Sequence, residues 1–205
     1  MRLTLSWLFA VLLLVPAATA QTAAPAPDNA YGAALTAALK SDPRQIDFAA
    51  LRAVYAASEG YTGRSELGEF DKEAFAAGLL GQPVPVLDET GVNRALVADF
   101  PLAETQYAAF LHVKRTDPGN TKRLALHSMW YLAIIEVILA SRRASPEGDP
   151  VYTVLSISEE NHLLGKLGYA RAGRQEMLVI DGVPHDRIAT DKGPVLFDIS
   201  AFFGR

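Results

Sequence analysis

Between Ser141 and Pro150 the hydrophobic pattern of this chain changes period, and that change limits the possible folds more than any other feature. Upstream, apolar residues recur at helical spacing. Downstream, beginning with VYTVLSI, the runs are extended and rich in β-branched residues. Helices first and strands second predict an α+β fold. The expected architecture is an N-terminal helical layer with a long central buried helix, packed on a small, mainly antiparallel C-terminal sheet of β-α-β-β-β order.

The helical side divides at clear breaks. Tyr31, Leu35 and Leu39 lie four apart and stop at Pro43. Asp47 is a good cap for a second helix carrying Phe48, Leu51, Val54 and Tyr55. A third candidate holds Phe70, Phe75, Leu79 and Leu80 and ends at Gly81, before the loop QPVPVLDETG. Val92, Leu96 and Phe100 then share one face, and Pro101 opens a helix with Tyr107, Phe110 and Leu111. After the turn DPGN, Thr121 is the expected cap of a long helix reaching about Ser141. Apolar residues surround it from Met129 to Ala140, interrupted by Glu136. Such a helix is expected at the centre of the domain, too short and too interrupted to cross a membrane.

On the strand side, SEENHLLGKLG reads as a short helix capped by Ser156 or Ser158 and closed by Gly168. EMLVI, the pair Asp181-Gly182 and the run through His185 to Thr190 read as a hairpin with a primed turn. PVLFDIS is the last strand. One domain over residues 30–205 is expected, helical over 30–143 and strand-rich over 150–200.

The first twenty residues differ in kind. Arg2, an apolar run from Leu3 to Val15, Pro16 and the triplet Ala18-Thr19-Ala20 have the layout of a secretory signal. Cleavage near Ala20/Gln21, a flexible leader over 21–29, a periplasmic or secreted location and no membrane span in the mature chain are expected. Cysteine is absent, so thiolate zinc sites, disulfides and cysteine nucleophiles are excluded. Without Arg2, eighteen basic residues face twenty-three acidic ones. A mildly acidic chain with no basic stripe has no electrostatic footprint for nucleic acid.

The polar candidates cluster late. Glu159-x-x-His162 places an acid and an imidazole on one helix face, the spacing of di-metal bundles, but no second copy is present. The plainer role for Glu159 and Glu160 is a helix start, where the dipole favours negative charge by roughly 0.3–1 kcal/mol each. His127 shares a face with Tyr131, Ile134 and Ile138, the setting of a satisfied core histidine. It becomes a candidate base if the strand module brings Glu160, Gln175 and Asp186 onto it. Asp186 alternates with Ile188 and so faces inward, with His185 on the opposite side; Asp198, between Phe197 and Ile199, is as ambiguous as Asp186. His112, His127, His162 and His185 lie on four separate elements, and no H-E-x-x-H or calcium loop occurs, so neither metal nor cofactor is expected. Tyr55, Tyr61, Tyr107, Trp130 and Tyr131 fit core packing better than a ligand pocket.

His127, Ser141, Ser145, VYTVLSISEE, LLGKLGY, Gln175, Asp186 and LFDIS occur in an order that resembles a bacterial family of exported domains of unknown function. The resemblance covers roughly residues 96–199 and is specific from His127 onward. Two departures stand out: Arg142-Arg143 where the family has Gly-Asp, and Asn161 where an aromatic is usual. A ligand-cradling glycine turn is therefore not carried over. The resemblance implies export and a shared fold, and it adds Glu160 to the candidates.

Two functions follow as expectations. The first is a binding or interaction domain for a protein, peptide or envelope component, with Gln175 and Tyr131 as candidate contacts. The second is a hydrolase or transferase, with His127 as base and Glu160 or Asp186 orienting it. An envelope inhibitor or immunity protein would instead show a solvent-facing apolar patch.

Overall fold

The computed structural model describes residues 29–204 except 66, 68, 69, 71, 72, 74–76, 78–81 and 83–86. The expected signal and nearly all of the leader lie outside these residues. So do Phe75, Leu79, Leu80 and Gly81 of the expected third helix, of which Phe70, Glu73 and Ala77 are described and helical.

Among the described residues, six helices with complete bounds and a five-stranded mixed sheet form the α+β architecture. The helices are α1 (Asn29–Lys40), α2 (Phe48–Ala56), α3 (Glu89–Ala98), α4 (Ala103–Thr116), α5 (Thr121–Ala140) and α6 (Ile157–Leu167). The strands are β1 (Arg143–Ala144), β2 (Pro150–Thr153), β3 (Arg171–Ile180), β4 (Val183–Thr190) and β5 (Gly193–Asp198), in spatial order β1-β2-β5-β4-β3.

Local chemistry sets the helix boundaries. Asp47 caps α2 by accepting the Ala50 N–H, and Asp88 caps α3 within what the sequence suggested was loop. The cap of α5 is Asn120, not Thr121: its carboxamide oxygen accepts the Arg123 N–H at 3.2 Å. Of the two serines before α6, Ser156 is the cap. Gly168 closes α6 in the left-handed region at φ 66°, where a Cβ would be strained.

One apolar cluster runs from Tyr31 to Ile199, with Phe48, Phe100 and Trp130 beside Ile134, Ile135, Val195 and Phe197. α5 is central to it, but its burial is one-sided: His127, Trp130, Ile134, Ile135 and Ile138 are buried, while Leu132 and Glu136 are exposed. Contrary to expectation, its 20 residues are long and apolar enough to cross a membrane by length and composition. Here that apolarity packs against α2, α4, α6 and β2. α4 also departs from expectation. Its buried face is Ala103, Glu104, Thr105, Gln106, Ala108, Ala109 and Val113, with Tyr107, Phe110 and Leu111 only half-buried. Small residues let α4 lie close to α5 and leave the large rings at the rim.

The sheet has one strand more than expected, because Arg143 and Ala144 pair with Val151 and Pro150. β2 and β5 pair in parallel, and the other three pairings are antiparallel. β2 ends at Thr153, and Val154 and Leu155 turn into the core instead of extending it. Asp181 (φ 52°) and Gly182 (φ 79°) are both left-handed, as a primed two-residue turn requires. Asp186 lies opposite Phe197, and Ile188 opposite Val195, on the face turned to the helices. β3 and the two-residue β1 are the edge strands, and residues Arg171 to Met177 of β3 are all exposed.

Candidate functional site

Three of the candidate side chains converge where the first turn of α6 meets β3 and β4. Glu160, fully buried, projects from α6 toward Asp186 on β4. Gln175 on β3 donates from Nε2 to Asp186 Oδ2 at 2.6 Å. Arg171 closes the group: it donates to Gln175 Oε1 at 3.2 Å and to Asn161 Oδ1 at 2.8 Å. Its Nη2 stands 3.8 Å from Glu160 Oε2, an ion-pair distance but too long for a hydrogen bond.

No N–H reaches either oxygen of Glu160. An ionised carboxylate so placed would leave two buried acceptors unsatisfied, at a cost of several kcal/mol. A proton shared with Asp186 removes that cost. Burial first, and the adjacent Asp186 carboxyl second, push Glu160 up to about 9, with Arg171 opposing weakly. At neutral pH Glu160 therefore keeps its proton, and its O–H, aimed at Asp186, latches the helix to the hairpin.

His127 is not part of this group. Its Nδ1 faces Gln106 Oε1 on α4 at 3.0 Å, and its ring lies edge-on to Trp130. Gln106 Nε2 is committed to the Phe100 carbonyl at 2.8 Å, so its Oε1 is the acceptor and His127 Nδ1 carries the hydrogen. Burial, with Arg123 nearby, lowers the imidazole to about 4. A neutral, buried imidazole held by an amide lacks the carboxylate orienter of a general base. The expected seam of His127 with Glu160, Gln175 and Asp186 thus forms without the histidine.

Glu159 plays a larger part than a helix start. It is fully buried and receives both guanidinium nitrogens of Arg52 on α2, at 2.5 and 2.8 Å. The Leu155 N–H at 2.8 Å and the Ala103 N–H at 3.3 Å complete its shell, and Arg52 also donates to the Pro101 carbonyl. Burial disfavours the Arg52 charge, but Glu159 outweighs it and the guanidinium is raised further. Asp99 accepts the Tyr55 hydroxyl at 2.7 Å, and burial together with Asp99 raises both Tyr55 and Tyr31. Sequence reasoning overlooked this network, although Arg52 sits in phase with Phe48 and Tyr55 on the buried face of α2.

The other candidates separate. Tyr131 meets His162 rather than Gln175: the hydroxyl lies 3.4 Å from Nδ1, and Tyr107 flanks the same imidazole. Glu159 and His162 therefore serve different surroundings despite their spacing. Tyr55 and Tyr61 pack edge to face in the core, and Trp130 packs on Phe100. His112 faces the Leu87 carbonyl at 3.2 Å. His185 lies on the opposite sheet face from Asp186, as expected, opposite Asp198; Arg143 bridges them at 3.3 and 2.8 Å. Burial alone would raise Asp198, but bonds from Ser200 and Arg143 hold it below its ordinary value.

Among the described residues no group of three or more His, Cys, Asp or Glu side chains could hold a metal ion. A depression of about 230 Å³ lined by Arg174, Glu176, Arg187, Ala189, Thr190, Gly193 and Pro194 contains none of the candidates. No family model, curated protein or solved structure matches this chain.

Proposed function

We propose that this chain is an exported binding domain that receives an extended strand of a partner along the open edge of β3. The observation that carries this is the edge itself. β3 is ten residues long and terminal in the sheet, and it bears Met177 (56% exposed) and Val179 (66%), the two most exposed large hydrophobic side chains among the described residues. Sheet edges are ordinarily blunted by brevity, charge, proline or a covering element, because a free ladder recruits other strands. Here, among the described residues, the start of β3 is protected by Arg171, Arg174 and an irregular register, while the stretch from Gln175 to Ile180 is regular and carries a single charge, Glu176, which Arg187 pairs at 3.6 Å. Strand addition uses such an edge: main-chain bonds hold the guest, and alternate side chains select it.

The shared-proton pair supports a structural part for the polar cluster. Glu160, Asp186, Gln175 and Arg171 fasten β3 and β4 to α6 and stiffen the docking edge. Against the hydrolase or transferase alternative stand the neutral His127, its amide partner and the full burial of Glu160. The apolar pair on β3 is also what an envelope inhibitor would present, which is one form of the same binding role.

In-cell photocrosslinking tests the proposal. A photoreactive residue at Val179 is expected to give a discrete adduct, and one at Val97, exposed on α3, is not. Equal labelling at both positions, or none at Val179, contradicts it. Export is checked separately: the N-terminus of protein from the periplasmic fraction is expected at Gln21, and an intact Met1 contradicts it.

A further inference from the structure

We infer that the strand received by β3 is β3 of a second copy, the two pairing antiparallel about a two-fold axis at Met177. This rests on the strand-addition reading above and names its partner.

The turn fixes which groups are free. A two-residue hairpin makes its flanking pair, Ile180 and Val183, a hydrogen-bonded pair. By alternation Glu176 and Leu178 also point their main-chain groups at β4. Gln175, Met177 and Val179 point theirs outward. Toward the N-terminus, β3 takes four steps from Arg171 to Gln175 while β4 takes two from Thr190 to Ile188, so the regular outward ladder starts at Gln175. Toward the C-terminus the chain turns away at Asp181. The usable ladder is therefore Gln175, Met177 and Val179, bounded at both ends.

A second copy fits that ladder end to end. Centred on Met177, an antiparallel pair sets Met177 opposite Met177 and Gln175 opposite Val179 in both directions, so all three residues exchange both main-chain bonds. Their side chains share one face, and the two most exposed apolar side chains of each chain meet in one patch. On the other face Glu176 falls opposite Leu178 and Arg174 opposite Ile180, so no like charges face directly. A register centred on Glu176 would set that carboxylate against itself and is disfavoured. Each Glu176 is further offset by Arg187, 3.6 Å away.

So short a ladder buries less than the roughly 1,200–2,000 Å² of a stable complex, so a weak, reversible dimer is expected, dissociating at about micromolar concentrations. Sedimentation velocity of the purified protein from about 1 to about 200 μM tests this. The expected result is a monomer–dimer equilibrium that Met177→Lys and Val179→Lys each weaken about tenfold or more, and that Leu39→Lys on α1 leaves unchanged. Both strand positions are exposed, so circular dichroism is expected to be unaltered. A monomer at every concentration, or a dimer indifferent to both lysines, overturns the inference. A fluorescent peptide copying residues 173–182 separates the two readings by anisotropy. Saturable binding to a protein that stays monomeric overturns the second copy but keeps strand addition. Absence of both dimer and peptide binding overturns both.

Discussion

Replacing Glu160 with glutamine is expected to stabilise the protein, and increasingly so as pH rises. In the folded chain the Glu160 carboxyl is pushed up to about 9 from an ordinary 4.5. The folded state therefore keeps a proton that the unfolded chain releases. Stability from this group is complete below about pH 4.5 and declines as pH rises toward 9, at about 1.4 kcal/mol per unit. Relative to a permanently neutral side chain the deficit is about 1 kcal/mol at pH 5, about 3 at pH 7 and about 5 at pH 8.5. A glutamine in this place donates to Asp186 and turns its oxygen to Arg171, reproducing the protonated acid without titrating. Urea unfolding followed by Trp130 fluorescence, on parent and Glu160→Gln at those three pH values, reads the difference. Other titrations are common to both proteins and cancel. The curves are expected to diverge in favour of the variant. A gap that stays constant or closes with rising pH would refute the shared-proton latch.

Arg52→Met leaves the Glu159 carboxylate buried with only two main-chain donors, and a loss of about 3–5 kcal/mol is expected in urea unfolding; a loss under about 1 kcal/mol contradicts the pairing. His127 has a folded value near 4 against an ordinary 6.5, so its contribution is present above pH 6.5 and is lost as pH falls through 4. It amounts to about 3 kcal/mol in all. The His127 imidazole resonances are expected to titrate near pH 4, and His127→Gln to remove that part of the acid slope; a His127 midpoint near 6.5 contradicts the buried, neutral assignment. Gly182→Ala forces a Cβ into the left-handed region with nothing within 4 Å to obstruct it. A loss of about 1–2 kcal/mol from backbone strain alone is expected in thermal unfolding, and no loss contradicts the primed turn.

What could be read from the sequence was local or periodic. Asp47, Gly168 and Asp181-Gly182 act within a few residues of themselves, so residue type nearly dictated their geometry. The grouping of Glu160, Gln175 and Asp186 was also legible, because α6 and the β3–β4 hairpin are neighbours in the chain and alternation turns Asp186 inward. Long-range choices were hidden. Arg52 and Glu159 pair across 107 positions, and nothing near either residue names the other. The parallel pairing of β2 with β5 depends on a crossover through α6 and the hairpin, which no periodicity records. His127 is the buried, satisfied core histidine its helix face suggests, but its partner is not legible, because that face could meet either α4 or the sheet. Ala103, Ala108 and Ala109 decide in favour of α4 by allowing close approach, and that places Gln106 against the imidazole. Large side chains attracted attention on α4 where small ones carry the contact.

The central claim is that β3 offers an open, ordered edge, and amide hydrogen exchange tests it residue by residue. In dilute solution the amides of Gln175, Met177 and Val179 are expected to exchange quickly, while those of Glu176, Leu178 and Ile180, bonded to β4, exchange slowly. Uniformly slow exchange across all six would mean that the edge is already covered. Uniformly fast exchange would mean that the strand is not formed, and either result contradicts the claim.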